Sequence, residues 1–221
     1  MLKLKNAHPN DERIWMDEGP HQYYIDEKKG YTSATTLAGQ YFSKFDSKKQ
    51  SVLTAKKTGQ TQQEVLDEWE EARAAGTRMH KRLEDFYNEA VDVDQGWEEE
   101  CIKEQFDSFH ASVVERKWEM FRTEWMIWDP VTKVCGCIDA VYIDTSLNQS
   151  IPDWLAGKCK LRLIIIDWKR CKKMRYSGYR NECGTGPCKD MPACNFVKYS
   201  LQQWVKCTTI KCACQKCPST V

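Results

Sequence analysis

Apolar residues recur at every third or fourth position across residues 64–89, and this spacing predicts a long amphipathic helix. The apolar stripe consists of Leu66, Trp69, Ala72, Gly76, Met79, Leu83 and Phe86. Gly76, His80 and Glu84 form a second row at a spacing of four, so we expect them to share one helix face. Glycine inside a helix costs about 1 kcal/mol relative to alanine, which indicates close approach by another backbone or a ligand. His80 alone would be an ordinary histidine at the surface or core edge, and the row adds a possible role as a ligand.

Two other segments have helical periodicity. Residues 98–117 are predicted to form a helix with a buried stripe of Cys101, Ile102, Phe106, Phe109 and Val113. Residues 195–205 are predicted to form a final amphipathic helix. The hydroxyl side chains of residues 32–36 are expected to cap a short helix that begins with LAGQYF.

Residues 123–129 and 133–143 are rich in aromatic and branched side chains, and we predict two strands joined by a turn at Asp129-Pro130-Val131-Thr132. Strand alternation is expected to turn Ile138, Ala140 and Tyr142 to one side and Cys137, Asp139, Val141 and Ile143 to the other. Asp139 would then lie among apolar neighbours. An ionised carboxylate is costly there unless a metal ion or a partner compensates it.

Residues 161–170, LRLIIIDWKR, are predicted to form a buried, central strand, because the stretch is almost continuously aliphatic. Asp167 and Lys169 follow two positions apart and should point to the same side. Such a pair can be a plain ion pair at the end of a strand. It also suits phosphodiester hydrolysis, in which the carboxylate holds a divalent metal and the lysine positions the attacking water.

Composition and the ends of the chain set the expected organisation. The contents of 41% hydrophobic and 29% charged residues are typical of a soluble globular protein. No apolar run approaches the roughly 18 residues of a membrane span, and residues 1–10 lack the apolar region of a secretory signal. We therefore expect no membrane association and an intracellular, non-secreted protein of the cytoplasm or nucleus, including that of a virus-infected host. Residues 1–20 are expected to form a polar, loosely organised leader, residues 21–206 the main domain with a small hairpin at residues 21–31, and residues 207–221 a cysteine-rich tail.

The net charge of +1 hides an uneven distribution of charge. Residues 62–104 contain 14 Asp and Glu against 5 Lys and Arg, whereas residues 156–216 contain 14 Lys and Arg against 3 Asp and Glu. The basic block includes the strand that carries Asp167 and Lys169. A polyanionic substrate would require such a block, although a solvated basic face without a partner remains the alternative.

Four short motifs follow one another in a set order. They are Gly76-Thr-Arg-Met-His80, Cys135-Gly-Cys-Ile-Asp139, Ile165-Ile-Asp167-Trp-Lys169-Arg170 and Tyr199-Ser-Leu-Gln202. Their order and spacing resemble the PD-(D/E)XK nucleases, in particular the RecB-like exonuclease branch, and the TSATT stretch and the helix of residues 69–88 resemble its viral and phage members. The resemblance covers roughly residues 21–206 and implies an α/β (α+β) fold with a restriction-endonuclease-like core, a mixed central sheet flanked by helices.

The resemblance implies a metal-dependent DNA nuclease, with exonuclease activity expected in recombination, repair or replication. His80, Asp139, Asp167 and the carbonyl oxygen of Trp168 would bind magnesium or manganese. Lys169 would orient the nucleophilic water and offset charge on the phosphorus. In-line attack by this water would leave a 5′-phosphate.

Other residues are assigned supporting roles by the same resemblance. Tyr199 and Gln202 would support the lysine region and contact DNA, and the basic residues Arg170, Lys172 and Lys173 are candidates for DNA binding. Glu84 and Glu124 are second-rank candidates for outer-shell contacts, and Glu124 is interpreted preferentially as a solvated strand carboxylate.

The sequence departs from the family pattern after Gln202. Gln203 stands where a leucine is expected and Lys206 where a tyrosine is expected, so the final helix is expected to be either a variant end or incomplete. An incomplete helix favours the alternative of a catalytically impaired DNA-binding module with the same fold. A structural zinc protein is a third alternative, which would require metal for folding.

Twelve cysteines are present, nine of them from Cys159 onward, and without a secretory signal a disulfide framework is not expected. The tail carries Cys207, Cys212, Cys214 and Cys217, and some RecB-like relatives hold an iron–sulfur cluster with late cysteines. These spacings, with or without Cys183, Cys188 and Cys194, match no standard zinc or ferredoxin pattern. A disordered or fortuitous tail is therefore the first interpretation, a zinc site the second and an iron–sulfur site the third.

Overall fold

A computed structural model of the chain describes residues 1–89, 96–147, 149–156 and 158–215. The helices are α1 (Leu2–Lys5), α2 (Ala34–Gly39), α3 (Ser47–Thr58), α4 (Gln62–Tyr87), α5 (Glu100–Glu115), α6 (Ile151–Leu155) and α7 (Asn195–Gln215). The strands are β1 (Ile14–Asp17), β2 (Gln22–Ile25), β3 (Thr32–Ser33), β4 (Trp118–Asp129), β5 (Val134–Asp144) and β6 (Leu163–Ile166). Within these ranges, no helix has the length and apolar character needed to cross a membrane.

The main sheet is mixed and is built around β5. β4 pairs with β5 in antiparallel orientation from end to end. β3 pairs with the start of β5 in parallel orientation, and β6 pairs antiparallel with Ala140–Ile143 further along. Because β4 occupies one edge of β5 throughout, β3 and β6 share the other edge. The expected mixed sheet flanked by helices is confirmed, but its central strand is β5 and not β6.

Helices cover both faces of the sheet. Ala140 and Tyr142 of β5 pack with Val113 of α5 and with Tyr87 of α4, whose hydroxyl accepts a hydrogen bond from the hydroxyl of Tyr142 (2.8 Å). Val141 and Ile143 point the other way and pack in a cluster that includes Ile210 of α7. Thus α4 and α5 lie on one face and α7 on the other.

The turn between β4 and β5 fixes the register of the hairpin. The buried carboxylate of Asp129 accepts hydrogen bonds from the backbone N–H groups of Val131 and Thr132 and from the Thr132 hydroxyl. This geometry pairs Asp129 with Val134 at the start of the ladder. Glu124 lies five residues before Asp129, and Asp139 lies five residues after Val134. The register therefore places Glu124 opposite Asp139, between the pairs Thr123–Ala140 and Trp125–Ile138.

The expected strict alternation of β5 is wrong at Asp139. Ile138 packs in the cluster of Val141 and Ile143, whereas Ala140 lies in the opposite cluster. The neighbouring strand is also irregular here, because Glu124 has a φ of +43°. A non-glycine residue in this region carries strain of about 1–3 kcal/mol, and such strain concentrates at functional sites.

β6 is a half-buried edge strand and not the buried, central strand predicted from its aliphatic run. All four residues of Leu163–Ile166 are partly exposed. Within the described ranges β6 pairs only with β5, so its other edge has no neighbouring strand. An aliphatic run alone could not distinguish a strand covered on both sides from one covered on a single side.

Among the helices, α4 confirms the long amphipathic helix and begins with a capping box between Thr61 and Glu64. Hydroxyl capping of α2 is also confirmed, because the Ser33 side chain accepts a hydrogen bond from the N–H of Thr36, but the helix begins at Ala34, three residues before the predicted Leu37. α7 continues to Gln215, ten residues beyond the predicted end at residue 205, so residues 207–215 of the cysteine-rich tail belong to this helix. Its weak apolar periodicity after residue 205 concealed this continuation.

Residues 6–11 of the predicted leader are packed against β4, so this part of it is not loosely organised. Asp11 forms a buried, bidentate ion pair with Arg122 (2.8 and 3.0 Å) and accepts a hydrogen bond from Trp125 Nε1 (3.1 Å). The Asn6 side chain donates to the carbonyl oxygen of Phe121 (2.8 Å), the residue at which the β4 register shifts. The hairpin also begins earlier than predicted, since β2 pairs with β1. A polar sequence did not reveal these partners because they lie more than 100 positions away.

Replacing Asp11 with Asn is expected to lower the free energy of unfolding by about 3–5 kcal/mol, because it leaves the buried Arg122 guanidinium without a charged partner. The measurement is urea unfolding at neutral pH. The matched control is Asp26→Asn, which breaks the Arg13–Asp26 pair, whose side chains are 45% and 47% exposed. We expect the control to cost about 0–1 kcal/mol. Equal losses in the two variants would contradict a structural role for the buried pair.

The same pair predicts a pH dependence of stability. Burial opposes ionisation of Asp11, but hydrogen bonds from Arg122, from the His8 N–H and from Trp125 outweigh burial and lower the pKa of Asp11. A lowered folded-state pKa adds stability above the unfolded value of roughly 3.9, and this contribution is lost as the pH falls through the folded value. Acid unfolding curves should therefore be less steep for Asp11→Asn than for the wild type, and parallel curves would contradict this.

Candidate functional site

A cleft of about 700 Å³ opens between α4, the middle of the β4–β5 hairpin and α7. The ionisable and amide side chains that line it include those of His80, Glu124, Asp139, Lys169, Gln202 and Lys206. Gly76 and Glu84 also line the cleft, so the predicted second row of α4 does face one site.

Asp139 and Asp167 are brought together by the pairing of β5 with β6. The register pairs Ala140 with Ile166, and one step further it sets Asp139 opposite Asp167. The backbone N–H of Trp168 donates a hydrogen bond to Asp139 Oδ2 (2.8 Å), which holds the segment after β6 against β5. The carboxylates of Asp139 and Asp167, which are 28 residues apart in sequence, are therefore neighbours, and both are buried.

His80 reaches both the segment after β6 and the β4–β5 hairpin. Its Nε2 lies 3.1 Å from the carbonyl oxygen of Trp168, and because a carbonyl only accepts, Nε2 carries the proton. Its Nδ1 lies 3.6 Å from Glu124 Oε1 and 3.6 Å from Asp139 Oδ2. Burial disfavours the charged imidazole, but the Glu124 and Asp139 carboxylates outweigh burial and raise the pKa of His80 above its ordinary value.

The donor atoms of His80, Glu124 and Asp139 all lie within 4.8 Å of one another, and in the described part of the chain this is the one group of three or more His, Cys, Asp or Glu residues with such a spacing. With bonds of about 2.1 Å, two ligands of one magnesium ion are at most about 4.2 Å apart. The two 3.6 Å distances from His80 Nδ1 lie within this span. Two carboxylates and one imidazole suit magnesium or manganese better than structural zinc. The donor set therefore fits a divalent cation.

Asp167 lies outside this group of donors and is paired with two lysines. Lys169 Nζ is 2.5 Å from its Oδ2, and Lys206 Nζ is 2.5 Å from its Oδ1. Burial raises the pKa of Asp167, but the two ammonium groups lower it by more, so the net pKa lies below the ordinary value. In contrast, burial outweighs the effect of Lys206 at Asp139 and raises the pKa of that carboxyl.

Three residues assigned by resemblance contact or line the centre. Trp168 contributes its carbonyl oxygen to His80, as described above, and its ring packs edge-on against Phe109. The ring of Tyr199 lies 5.6 Å from Lys169 Nζ, and Gln202 lines the cleft. Support of the lysine region by Tyr199 and Gln202 stays a prediction.

Four other candidates do not converge on the carboxylates. Glu84 pairs with Lys81 (3.3 Å) on the surface of α4. Arg170 pairs with Glu99 (2.6 Å), which removes it from the cleft. Lys172 and Lys173 are exposed on the segment after β6.

Sequence reasoning ranked Glu124 too low and missed Lys206. Glu124 is not a solvated strand carboxylate, because it faces His80 and accepts a hydrogen bond from the Cys137 thiol (3.2 Å). Counting five residues back from Asp129 and five forward from Val134 would have placed it opposite Asp139. Lys206 was noticed only as a departure from the family pattern. Its spacing of four from Gln202 puts both on one face of α7, which was the available signal.

The cysteines give no second centre in the part of the chain that is described. None of the nine cysteines whose side chains are described belongs to a group with metal-ligand spacing. Cys217 and the side chains of Cys212 and Cys214 lie outside the described residues. The zinc and iron–sulfur interpretations of the tail therefore stay predictions.

Comparisons of the chain with protein-family models, with curated proteins and with solved structures gave no match. The geometry of the cleft is therefore the basis for interpreting its chemistry.

Replacing Glu124 with Gln is expected to lower the pKa of His80 in protein without metal, because it removes one of the two carboxylates that favour the imidazolium. NMR titration of the histidine ring signals measures this pKa directly. The matched control is Glu119→Gln, an exposed carboxylate on the same strand that pairs with Lys5. An unchanged His80 pKa in Glu124→Gln would contradict the placement of Glu124 beside the ring.

Proposed function

We propose that this chain is a metal-dependent nuclease that hydrolyses phosphodiester bonds in DNA. The observation that supports it most is the convergence of His80, Glu124 and Asp139 in one cleft, with Lys169 held beside them by Asp167. The resemblance to the RecB-like branch of the PD-(D/E)XK nucleases extends this proposal to an exonuclease of recombination, repair or replication.

His80, Glu124 and Asp139 would hold magnesium or manganese. When bound, the ion would polarise the phosphoryl oxygen and favour hydroxide formation from water. Asp139 is held ready for this role by the N–H of Trp168, and His80 by the carbonyl oxygen of the same residue. The backbone N–H and carbonyl groups of Trp168 thus orient two of the three proposed metal ligands, Asp139 and His80.

Lys169 has the position of a group that orients water and stabilises charge. Its Nζ is 2.5 Å from Asp167 and 4.0 Å from Asp139, while part of the side chain faces the cleft. An ammonium has three donor hydrogens, so contact with Asp167 leaves donors for an attacking water or a phosphoryl oxygen. Asp167 acts here as a positioning residue that fixes Lys169.

DNA is the proposed substrate because of the basic segment that follows β6. This segment carries the exposed Lys172 and Lys173 and belongs to the basic block of residues 156–216. Such side chains bind phosphates without reading bases, so binding should weaken steeply as the salt concentration rises.

A second candidate function is DNA binding without cleavage. The observation that favours it is the pairing of both Asp167 oxygens with lysines, which leaves neither oxygen available to a metal ion. Both candidates predict salt-sensitive DNA binding, and only the nuclease predicts nucleotide release that depends on magnesium.

Replacing Lys169 with Met is expected to reduce the cleavage of linear DNA by about 10²-fold or more, the usual effect of removing one donor that stabilises transition-state charge. The assay uses end-labelled linear and closed-circular DNA with magnesium, manganese or a chelator. Lys5→Met is the control and should retain cleavage, because Lys5 pairs with Glu119 on the surface and lies outside both the cleft and the basic block. Equal rates in the wild type and Lys169→Met would contradict the proposed chemistry, and DNA binding without any cleavage by the wild type would favour the second candidate.

Glu124→Gln is expected to weaken manganese binding by about 10-fold or more. Even the loss of a residue that only hydrogen-bonds to a metal ligand lowers metal affinity by about this factor. Calorimetric titration of the folded protein gives the dissociation constant. Glu119→Gln again serves as the control and should bind like the wild type. If Glu124→Gln binds manganese as tightly as the wild type, Glu124 is not a ligand.

A further inference from the structure

Lys206 is a buried cation at the centre of the site, contributed by an element on the opposite face of the sheet from α4. Its side chain is 8% exposed, and those of Asp139 and Asp167 are 7% and 5% exposed. The ammonium nitrogen lies 2.5 Å from Asp167 Oδ1 and 3.4 Å from Asp139 Oδ1. It therefore bridges the two carboxylates that the strand pairing places side by side.

We propose that Lys206 is a built-in second cation of this centre and restricts it to one divalent metal ion per chain. The inference rests on the proposed function for the identity of the first ion, which His80, Glu124 and Asp139 would hold. Lys206 occupies the space between Asp139 and Asp167, where the two carboxylates would otherwise bind a second divalent ion.

Each oxygen atom of the Asp139 and Asp167 carboxylates has different contact partners. Asp139 Oδ2 faces His80 and accepts the N–H of Trp168, whereas Asp139 Oδ1 faces Lys206. Both oxygens of Asp167 are paired, one with each lysine. One side of Asp139 is thus available to a metal ion, and the space on its other side is occupied by an ammonium group.

The formal charges lead to the same conclusion. With His80 neutral, Asp139, Asp167 and Glu124 contribute −3 and Lys169 and Lys206 contribute +2, so the cluster carries −1. One divalent ion would bring it to +1 and two ions to +3. Without Lys206 the cluster would carry −2, and a second ion would bring it only to +2. Because a buried excess of like charge is strongly unfavourable, Lys206 should exclude the second ion.

The lysine cannot easily leave this position. Its neighbours on α7 are anchored in the core, since Val205 and Ile210 are buried and the Thr209 hydroxyl bonds to the carbonyl oxygen of Val205. Withdrawal of the ammonium would also leave two buried carboxylates with only Lys169 between them. Removal of one member of a buried charge cluster is costly for this reason.

The test counts the manganese ions that bind to each chain, from the loss of the free-ion signal in electron paramagnetic resonance. We expect one ion for the wild type and two for Lys206→Met, which keeps the length of the side chain but removes its charge. Lys198→Met is the matched control on the same helix, because the Lys198 ammonium lies over the Phe42 ring, 5.2 Å from its centroid. The control should bind one ion.

Thermal unfolding gives a second measurement that remains useful if Lys206→Met is only marginally stable. Manganese should raise the melting temperature of Lys206→Met by more than that of the wild type, because it replaces the missing charge as well as filling the first position. Lys206→Arg retains a cation and should bind one ion, like the wild type.

The outcomes separate this inference from the proposed function. Two ions on the wild type, or one ion on a folded Lys206→Met, would overturn the role of Lys206 and leave the metal site intact. No manganese on either protein would overturn the metal site of the proposed function and this inference with it.

Discussion

Two buried carboxylates, Asp139 and Asp167, lie side by side because their strands pair, and this proximity constrains everything around them. Adjacent buried negative charges are tolerated only when cations and hydrogen bonds compensate them. Lys169 comes from the end of β6 and Lys206 from α7, on the opposite face from α4. The charges of the two carboxylates are therefore balanced only when β5, β6 and α7 are packed together.

The rest of the fold positions the remaining donors. The turn at Asp129 sets the register that brings Glu124 opposite Asp139, and the long helix α4 brings His80 over both. The N-terminal segment supports the same strand, because Asp11 binds Arg122 two residues before Glu124. Glu124, whose φ is positive, lies between the Asp11–Arg122 ion pair and the cleft. The surrounding hydrogen bonds can hold its strained backbone in place.

If the proposed function holds, the centre combines two kinds of positive charge, a divalent metal ion and two lysine side chains. A divalent ion is exchangeable and its occupancy depends on concentration, whereas a lysine on a packed helix is always present. The sequence motif Asp-x-Lys gives one fixed cation, and α7 adds a second. Under the proposed function, such a site would need fewer metal ions to neutralise a phosphodiester, and Asp167 would hold Lys169 in place instead of joining the metal donors.

The sequence by itself determined the features that depend on local spacing: the helix that carries His80, the hairpin that carries Asp139 and the pairing of Asp167 with Lys169. Periodicity fixes which side chains share a face, and turn chemistry fixes which strands are adjacent. Only the tertiary structure decided that β6 is an edge strand, that Glu124 turns toward His80 and that Lys206 enters from α7 between the two acids. Those outcomes depend on which distant segments pack together, and the charge balance of a buried site is set by such neighbours and not by the residues on either side in the chain.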